Sequence, residues 1–358
     1  MHTLDHNRLK HSFTTHRVLF TAMAGVMPLE HPPTLGDLVL AEVTTVNNHK
    51  RLESRSGTQL HLFEGDVIVG AWGNRYASDQ FEGYVPHDAV ETCDLLSVGG
   101  VCGRVTSAHS SMQPPTQLRV IGAVCDDGGR TINLRRFGLP PQPQAPLASS
   151  IILVVGASMN SGKTTTVGTL ARALDRAGFR VAAAKITGTA ASKDPRFYES
   201  SGARPVLDFT HAVYPATYML ELEELMSIHH TLLGHLRATQ PDYIVLEIAD
   251  GIFQRETRML LEHVPFTSSV DHVFFAANDS LSAACGVREL QQRGLPLRAV
   301  AGALTQSPLA MREAEAASGM PCFSIERMLG PDLLELLHAQ PVIATPSGQA
   351  LQEASVAL

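Results

Sequence analysis

The stretch IILVVGASMNSGKTTT, residues 151–166, decides how the chain folds. Ile151 to Val155 form an unbroken apolar run, the pattern of a parallel strand buried on both faces. Gly156 opens a turn that closes at Gly162, and a helical pattern runs from Lys163-Thr164-Thr165 to Ala177. A strand, a Gly-rich turn and a helix in that order are the setting of a phosphate-binding loop. In that setting backbone N–H groups and the positive end of the helix macrodipole face an anion. Gly156, Asn160, Ser161, Gly162, Lys163, Thr164 and Thr165 are therefore the expected nucleotide-binding residues. Lys163 has the reach for the outer phosphates, and the Thr164 hydroxyl suits Mg²⁺. Five residues separate Gly156 from Gly162, one more than in the GxxxxGK[ST] form. The alternative is a chance Gly/Ser turn, which the flanking strand and helix argue against.

Downstream, strand runs at 180–185, 243–248, 272–277 and 298–304, with a short one at 321–325, alternate with helical runs. The helices are expected at about 220–238, 280–293, 309–318 and 331–338. Such alternation predicts an α/β domain of the P-loop NTPase type, its mostly parallel sheet covered by helices on both faces. Ligands of such sheets lie at the carboxyl ends of the strands, where Gly156, Lys185 and Glu247 fall.

Upstream the pattern differs. Residues 17–138 carry short alternating runs broken by glycines, such as LGDLVLAEVTTV (35–46) and TQLHLFEGDVIVGAW (58–72). With no helical period beyond about two turns, they predict a small all-β barrel or sandwich. The polar and aromatic segment Gly73–Gly83, beside Trp72, reads as a strand–loop–strand corner more readily than as a ligand surface. GLPPQPQAPLASS (138–150) is Pro-rich and uncharged, and reads as a linker. The expected organisation is a flexible terminus (1–16), the β-rich domain (17–138), the linker (139–150), the nucleotide-binding domain (151–340) and a C-terminal tail (341–358). His2, His6, His11 and His16 are irregularly spaced and read as part of a solvated terminus.

At 358 residues, with 44% hydrophobic and 18% charged content, the chain has material for two cores. The net charge of −7 is spread evenly, with 12 basic against 14 acidic residues up to Ala148. No basic block marks a nucleic-acid binder. Five scattered cysteines lack CxxC spacing, which argues against a disulfide framework and a structural zinc site. No apolar stretch reaches membrane-span length, so a cytoplasmic protein with no membrane contact is expected.

Three further groups could carry chemistry. Lys185, at a strand end opposite the loop, could hold a second anionic group, either a carboxylate or the transferred phosphoryl; taken alone it reads equally as a solvated strand-end lysine. Asp208, Glu247 and Asp250 follow apolar runs, and an acid at such a place beside Lys163 and Thr164 can hold Mg²⁺ or align an acceptor. Thr164, Asp208 and Glu247 are the expected metal ligands. Tyr214, Thr217 and Tyr218 read as pocket lining or loop packing, and His229-His230 as structural.

On these residues the second half, about 150–335, resembles the dethiobiotin synthetase and cobyrinic acid a,c-diamide synthase group of P-loop proteins. The shared features are the stretched G-x5-G-K-T loop (Gly156–Thr164), Lys185-Ile-Thr-Gly at a strand end, Glu247-Ile-Ala-Asp-Gly, and ELQQRGLPLRAVAGAL (289–304). The resemblance implies ATP or a related nucleotide such as GTP, Mg²⁺, and phosphoryl transfer to a carboxylate or carbamate. It also implies a homodimer and catalytic roles for Lys163, Lys185 and Glu247. The chain departs from the group's pattern at Ile186, where a proline is usual, at Ile248 in place of a glycine, and at Thr305 where an asparagine often meets the base. The expected function is a Mg²⁺-dependent phosphotransferase or ligase-like synthetase acting on a small anionic substrate. The alternatives are a nucleotide-hydrolysing switch or maturation factor whose β domain binds a protein, and a polynucleotide kinase. Charge balance and few aromatics count against the last.

Overall fold

The computed structural model describes residues 2–140, 142 and 149–339. Most of the expected linker and the whole expected C-terminal tail lie outside the described residues.

In the first half, Leu38–Thr45, Val67–Trp72, Val101–Ala108, Thr92–Leu95 and Thr116–Cys125 pair in that order, and the last returns to the first. The ring closes a small barrel, which removes free sheet edges. Strand alternation fills it: Val39, Ala41, Val43, Ile68, Trp72 and Leu118 point inward. Leu38 and Leu40, on the opposite face, are also buried, against Val18, Met23 and Val26.

That second layer corrects the expectation of a flexible terminus. His2–Thr3 pairs with Gly25–Met27, and Phe13, Thr14 and Thr15 are buried. Ser12 donates to the Val69 carbonyl at 2.7 Å. The segment is short and aperiodic, so its burial is set by the outward face of the barrel and not by a pattern of its own.

The second half is an α/β domain. Its strands run, in order across the sheet, Val206–Asp208, Val181–Lys185, Tyr243–Glu247, Ser150–Gly156, His272–Ala276 and Leu297–Ala301, all parallel. The apolar run at 151–155 divides between two cores: Ile151, Leu153 and Val155 face one side, Ile152 and Val154 the other. Helix Lys163–Arg176 covers the latter with Val167, Leu170 and Leu174. Leu222–Arg237, Arg255–Glu262 and Ser280–Gln292 cover the former. The expected short strand at 321–325 is reduced to a single bridge, Cys322 to Val300, before helix Ile325–Leu329.

The barrel packs on the carboxyl edge of this sheet. The Ser192 amide donates to Glu53 at 2.6 Å, and Arg196 donates to the Ser56 carbonyl. Asn74 donates to the Tyr218 carbonyl at 3.2 Å. A Cβ on Gly99 would lie 1.9 Å from the Ala190 carbonyl oxygen, so this glycine is what lets the two backbones meet.

Candidate functional site

The loop between Gly156 and Lys163 is held by close backbone contact on two sides. Gly251, in the turn after Tyr243–Glu247, would place a Cβ 2.3 Å from the Ala157 carbonyl oxygen. Gly302, at φ +92° after Leu297–Ala301, would place one 2.2 Å from the Ser161 carbonyl oxygen. The loop itself turns through positive φ at Asn160 and Gly162. A Cβ on Gly156 would lie 2.3 Å from the Ser161 hydroxyl and 2.9 Å from the Lys163 side chain, so a larger residue there must displace both. The Ser161 hydroxyl is fully buried and has no hydrogen-bond partner among the described residues.

Lys163 begins the helix and is buried, its ammonium donating to the Ser158 carbonyl at 2.7 Å across the loop. Burial lowers its pKa, against the pull of Glu247 and Asp250. Thr164 donates to Glu247 Oε1 at 3.4 Å. Lys185 pairs with Asp194 and, at 3.2 Å, with Glu247. Burial works against the Lys185 charge, but the two carboxylates outweigh it and hold the ammonium well above its usual range. Tyr198 donates to Glu247 Oε2; burial, with Glu247 and Asp194, pushes its phenol well up, so it stays a donor. Glu247 is thus fixed by a hydroxyl, an ammonium and a phenol. Asp250, at positive φ, has its pKa pushed up to about 6 by burial, with Lys163 and Lys185 opposing.

These groups share one cavity of about 750 Å³, lined by Lys163, Thr164, Lys185, Asp194, Glu247 and Asp250 among others. Asn160, Gly162 and Thr165 line it as well. Across the loop lies a smaller cavity of about 210 Å³, bounded by Gly162, Thr165, Gly302, Thr305 and Gln306.

Asp208 is not brought to the cavity. Its buried carboxylate accepts from the Thr210 amide at 2.9 Å and from the Thr210 hydroxyl, and lies 3.0 Å from His211 Nδ1. These contacts fall on one oxygen, Oδ1, and Asp208 is not among the residues that line the cavity with Thr164. Tyr214, Thr217 and Tyr218 also lie off the cavity lining. Thr217 accepts from the Gly188 amide at 2.9 Å, and Tyr218 packs at a tilt against Tyr76 and Tyr84 of the barrel. His229 packs on Phe266 in the core. Among the described residues no three His, Cys, Asp or Glu side chains converge as a metal cage.

Asp194 and Tyr198 were not singled out from the sequence. Both sit on helix Lys193–Ser200, whose first-turn Asp194 and Pro195 are start signals legible in KDPRFYES. The Gly73–Gly83 corner also reaches the loop: Asn160 donates to Asp79 at 2.6 Å.

No family model matches the chain, and no curated protein matches it. Among solved structures, similar folds include the 54 kDa signal recognition particle protein of Aeropyrum pernix in complex with GDP (21% identity, TM-score 0.37, 57% of this chain and 52% of that one). Another is the signal recognition particle receptor of Elizabethkingia anophelis in complex with GDP (16%, 0.36, 53% and 63%). A third is a DUF1611 family protein from Anabaena variabilis (16%, 0.38, 57% and 63%). The matches span about half to under two-thirds of those chains, and none of the three is named as a dethiobiotin or cobyrinic acid synthase. The chain itself is an α/β protein with a P-loop at the carboxyl edge of a parallel sheet, preceded by a β-barrel.

Proposed function

We propose that the protein binds a nucleoside triphosphate, ATP or GTP, with Mg²⁺ and transfers its phosphoryl group to a small anionic substrate bearing a carboxylate or carbamate. The observation that carries this reading is the gathering of Lys163, Thr164, Lys185, Glu247 and Asp250 around one cavity at the loop. Loop amides and Lys163 would offset the charge on the phosphates, a positioning and electrostatic role that needs no covalent nucleophile. The smaller cavity beside Thr305 and Gln306 suits the base. Lys185, locked by Asp194 and Glu247, would present a fixed cation to the acceptor. Asp250, titrating near neutrality, is suited to take up or release a proton there.

The donor set fits Mg²⁺. Thr164 and Glu247 offer hard oxygens within 3.4 Å of each other, and such sites draw their remaining ligands from water and phosphate oxygens. When bound, the ion neutralises charge on the phosphates. The same reading takes the protein as a cytoplasmic homodimer, which light scattering tests.

One observation favours a second reading, a nucleotide-driven switch. The segment from Lys185 to Arg196 runs from the cavity onto the barrel, where Glu53 and Ser56 hold it. A change at the phosphates could thereby alter the barrel's grip on a partner. The assay that separates the two is Mg²⁺-ATP or Mg²⁺-GTP turnover with and without small carboxylates, amines and amides. Stimulation by one such compound supports phosphotransfer. Slow basal hydrolysis stimulated only by a protein supports the switch.

A further inference from the structure

A second cavity, of about 300 Å³, lies where the barrel meets Thr189–Ala191, the stretch that follows Lys185. Its polar wall is Arg75, His49, Gln80 and Ser97. Arg75 is only 7% exposed. Its guanidinium donates to Gln80 at 2.7 Å and to His49 Nε2 at 3.4 Å, both neutral acceptors. His49 can only donate to the Leu95 carbonyl through Nδ1, at 2.9 Å, which leaves Nε2 as the acceptor. With its pKa lowered to about 4, first by burial and then by Arg75, this histidine carries no charge at neutral pH. Among the described residues the Arg75 Nε has no partner, and no carboxylate lies within 4.0 Å of the guanidinium. Asp79 and Asp250 act on it only at longer range.

A buried cation without a close counter-ion is costly unless something completes its shell. The guanidinium fork matches a carboxylate in two parallel hydrogen bonds. At about 30 Å³ per water-sized group, the space takes on the order of ten non-hydrogen atoms. We propose that this cavity is a binding site for a small carboxylate, gripped by Arg75 and closed on its far side by Thr189–Ala191. The site exists only where barrel and parallel sheet meet, and its far wall is continuous with Lys185 and Asp194 of the phosphate cavity. Its use as the acceptor's anchor rests on the phosphotransfer reading; carboxylate binding does not.

The test is calorimetry on the full, nucleotide-free chain in EDTA, with mono- and dicarboxylates of three to six carbons and with sulfate, each up to about 10 mM, where even weak binding of about −4 kcal/mol registers. At least one carboxylate binds the wild type. Arg75→Gln weakens it by about tenfold or more, and so does Ala191→Leu, which fills the cavity from the other wall. Arg75→Lys keeps the buried charge and provides a folded comparison that has lost the fork. Failure of every carboxylate, binding of sulfate alone, or affinity unchanged in Arg75→Gln or Ala191→Leu overturns the inference. Mg²⁺-ATP and Mg²⁺-GTP titrated separately keep the two readings apart. Nucleotide binding without carboxylate binding sinks this site only, and the reverse sinks the phosphate site only.

Discussion

Lys163 is buried with a backbone carbonyl as its close partner, so Lys163→Ala removes a desolvated cation and breaks no ion pair within 4 Å among the described residues, although Asp250 loses a favourable charge at longer range. The expected outcome is an unchanged melting temperature with turnover reduced by about two orders of magnitude or more, read by phosphate release. Asp250 gives a pH signature. Its folded pKa, about 6, lies above the unfolded value of about 3.9, so its share of stability is present below pH ~4 and is lost as pH rises through 6. Asp250→Asn mimics the protonated form and tolerates the positive φ. In chelator-treated protein it should raise stability at pH 7.5 by about 1–2 kcal/mol and change little near pH 4, as thermal melts at the two pH values will show. At this scale the sequence was legible where chemistry is local. Lys163 and Thr164 lie beside their glycines in the chain, and Glu247 ends an apolar run. Asp208 carried the same local signal, yet Thr210 and His211, two and three residues on, engage its carboxylate. Short-range capping of that kind has no periodicity to betray it.

Elements explain the contacts that single residues could not announce. Lys185 and Glu247 meet because their strands are adjacent and in register, and Asp194 joins them from the helix that crosses above. Lys185→Ala therefore leaves the buried Glu247 and the half-buried Asp194 without their cation and should cost about 2–4 kcal/mol. Asp194→Ala added to it should recover part of that loss, and urea melts of the double-mutant cycle measure the coupling. Gly302 belongs to this scale as well. Its positive φ and the Ser161 carbonyl 2.2 Å from any added Cβ mean that Gly302→Ala must displace the loop. The expected cost is about 1–3 kcal/mol in stability, together with weaker nucleotide binding in calorimetry. The main strands and helices of the second half were readable because their apolar runs are long and alternate in type. Val206–Asp208 and Lys193–Ser200 are too short to show a period; the first reads only as a short apolar run, and the second goes unassigned from the sequence.

In the whole molecule, barrel and parallel sheet are tied through Glu53, Ser56, Asp79 and Gly99, none of which has a sequence signal for that contact. The barrel itself was legible from its alternating runs and glycine turns. Its seat beside the phosphate loop was not, because interfaces between units leave no pattern in either. Charge acts at this scale too. Burial holds His11, His16, His49 and His272 at about 4 when folded, against about 6.5 unfolded. The unfolded chain takes up protons first, so stability falls as pH drops from 6.5 to 4, outweighing the opposite trend of Asp250. Thermal melts should show a drop of about 5 °C or more across that window. The central claim remains the cradle formed by residues 156–164, and calorimetric titration of Mg²⁺-ATP and Mg²⁺-GTP into wild type and Lys163→Ala tests it most directly. The account predicts saturable binding of at least one nucleotide by the wild type and its loss in the variant. No binding by the folded wild type, or equal binding by both proteins, would contradict it.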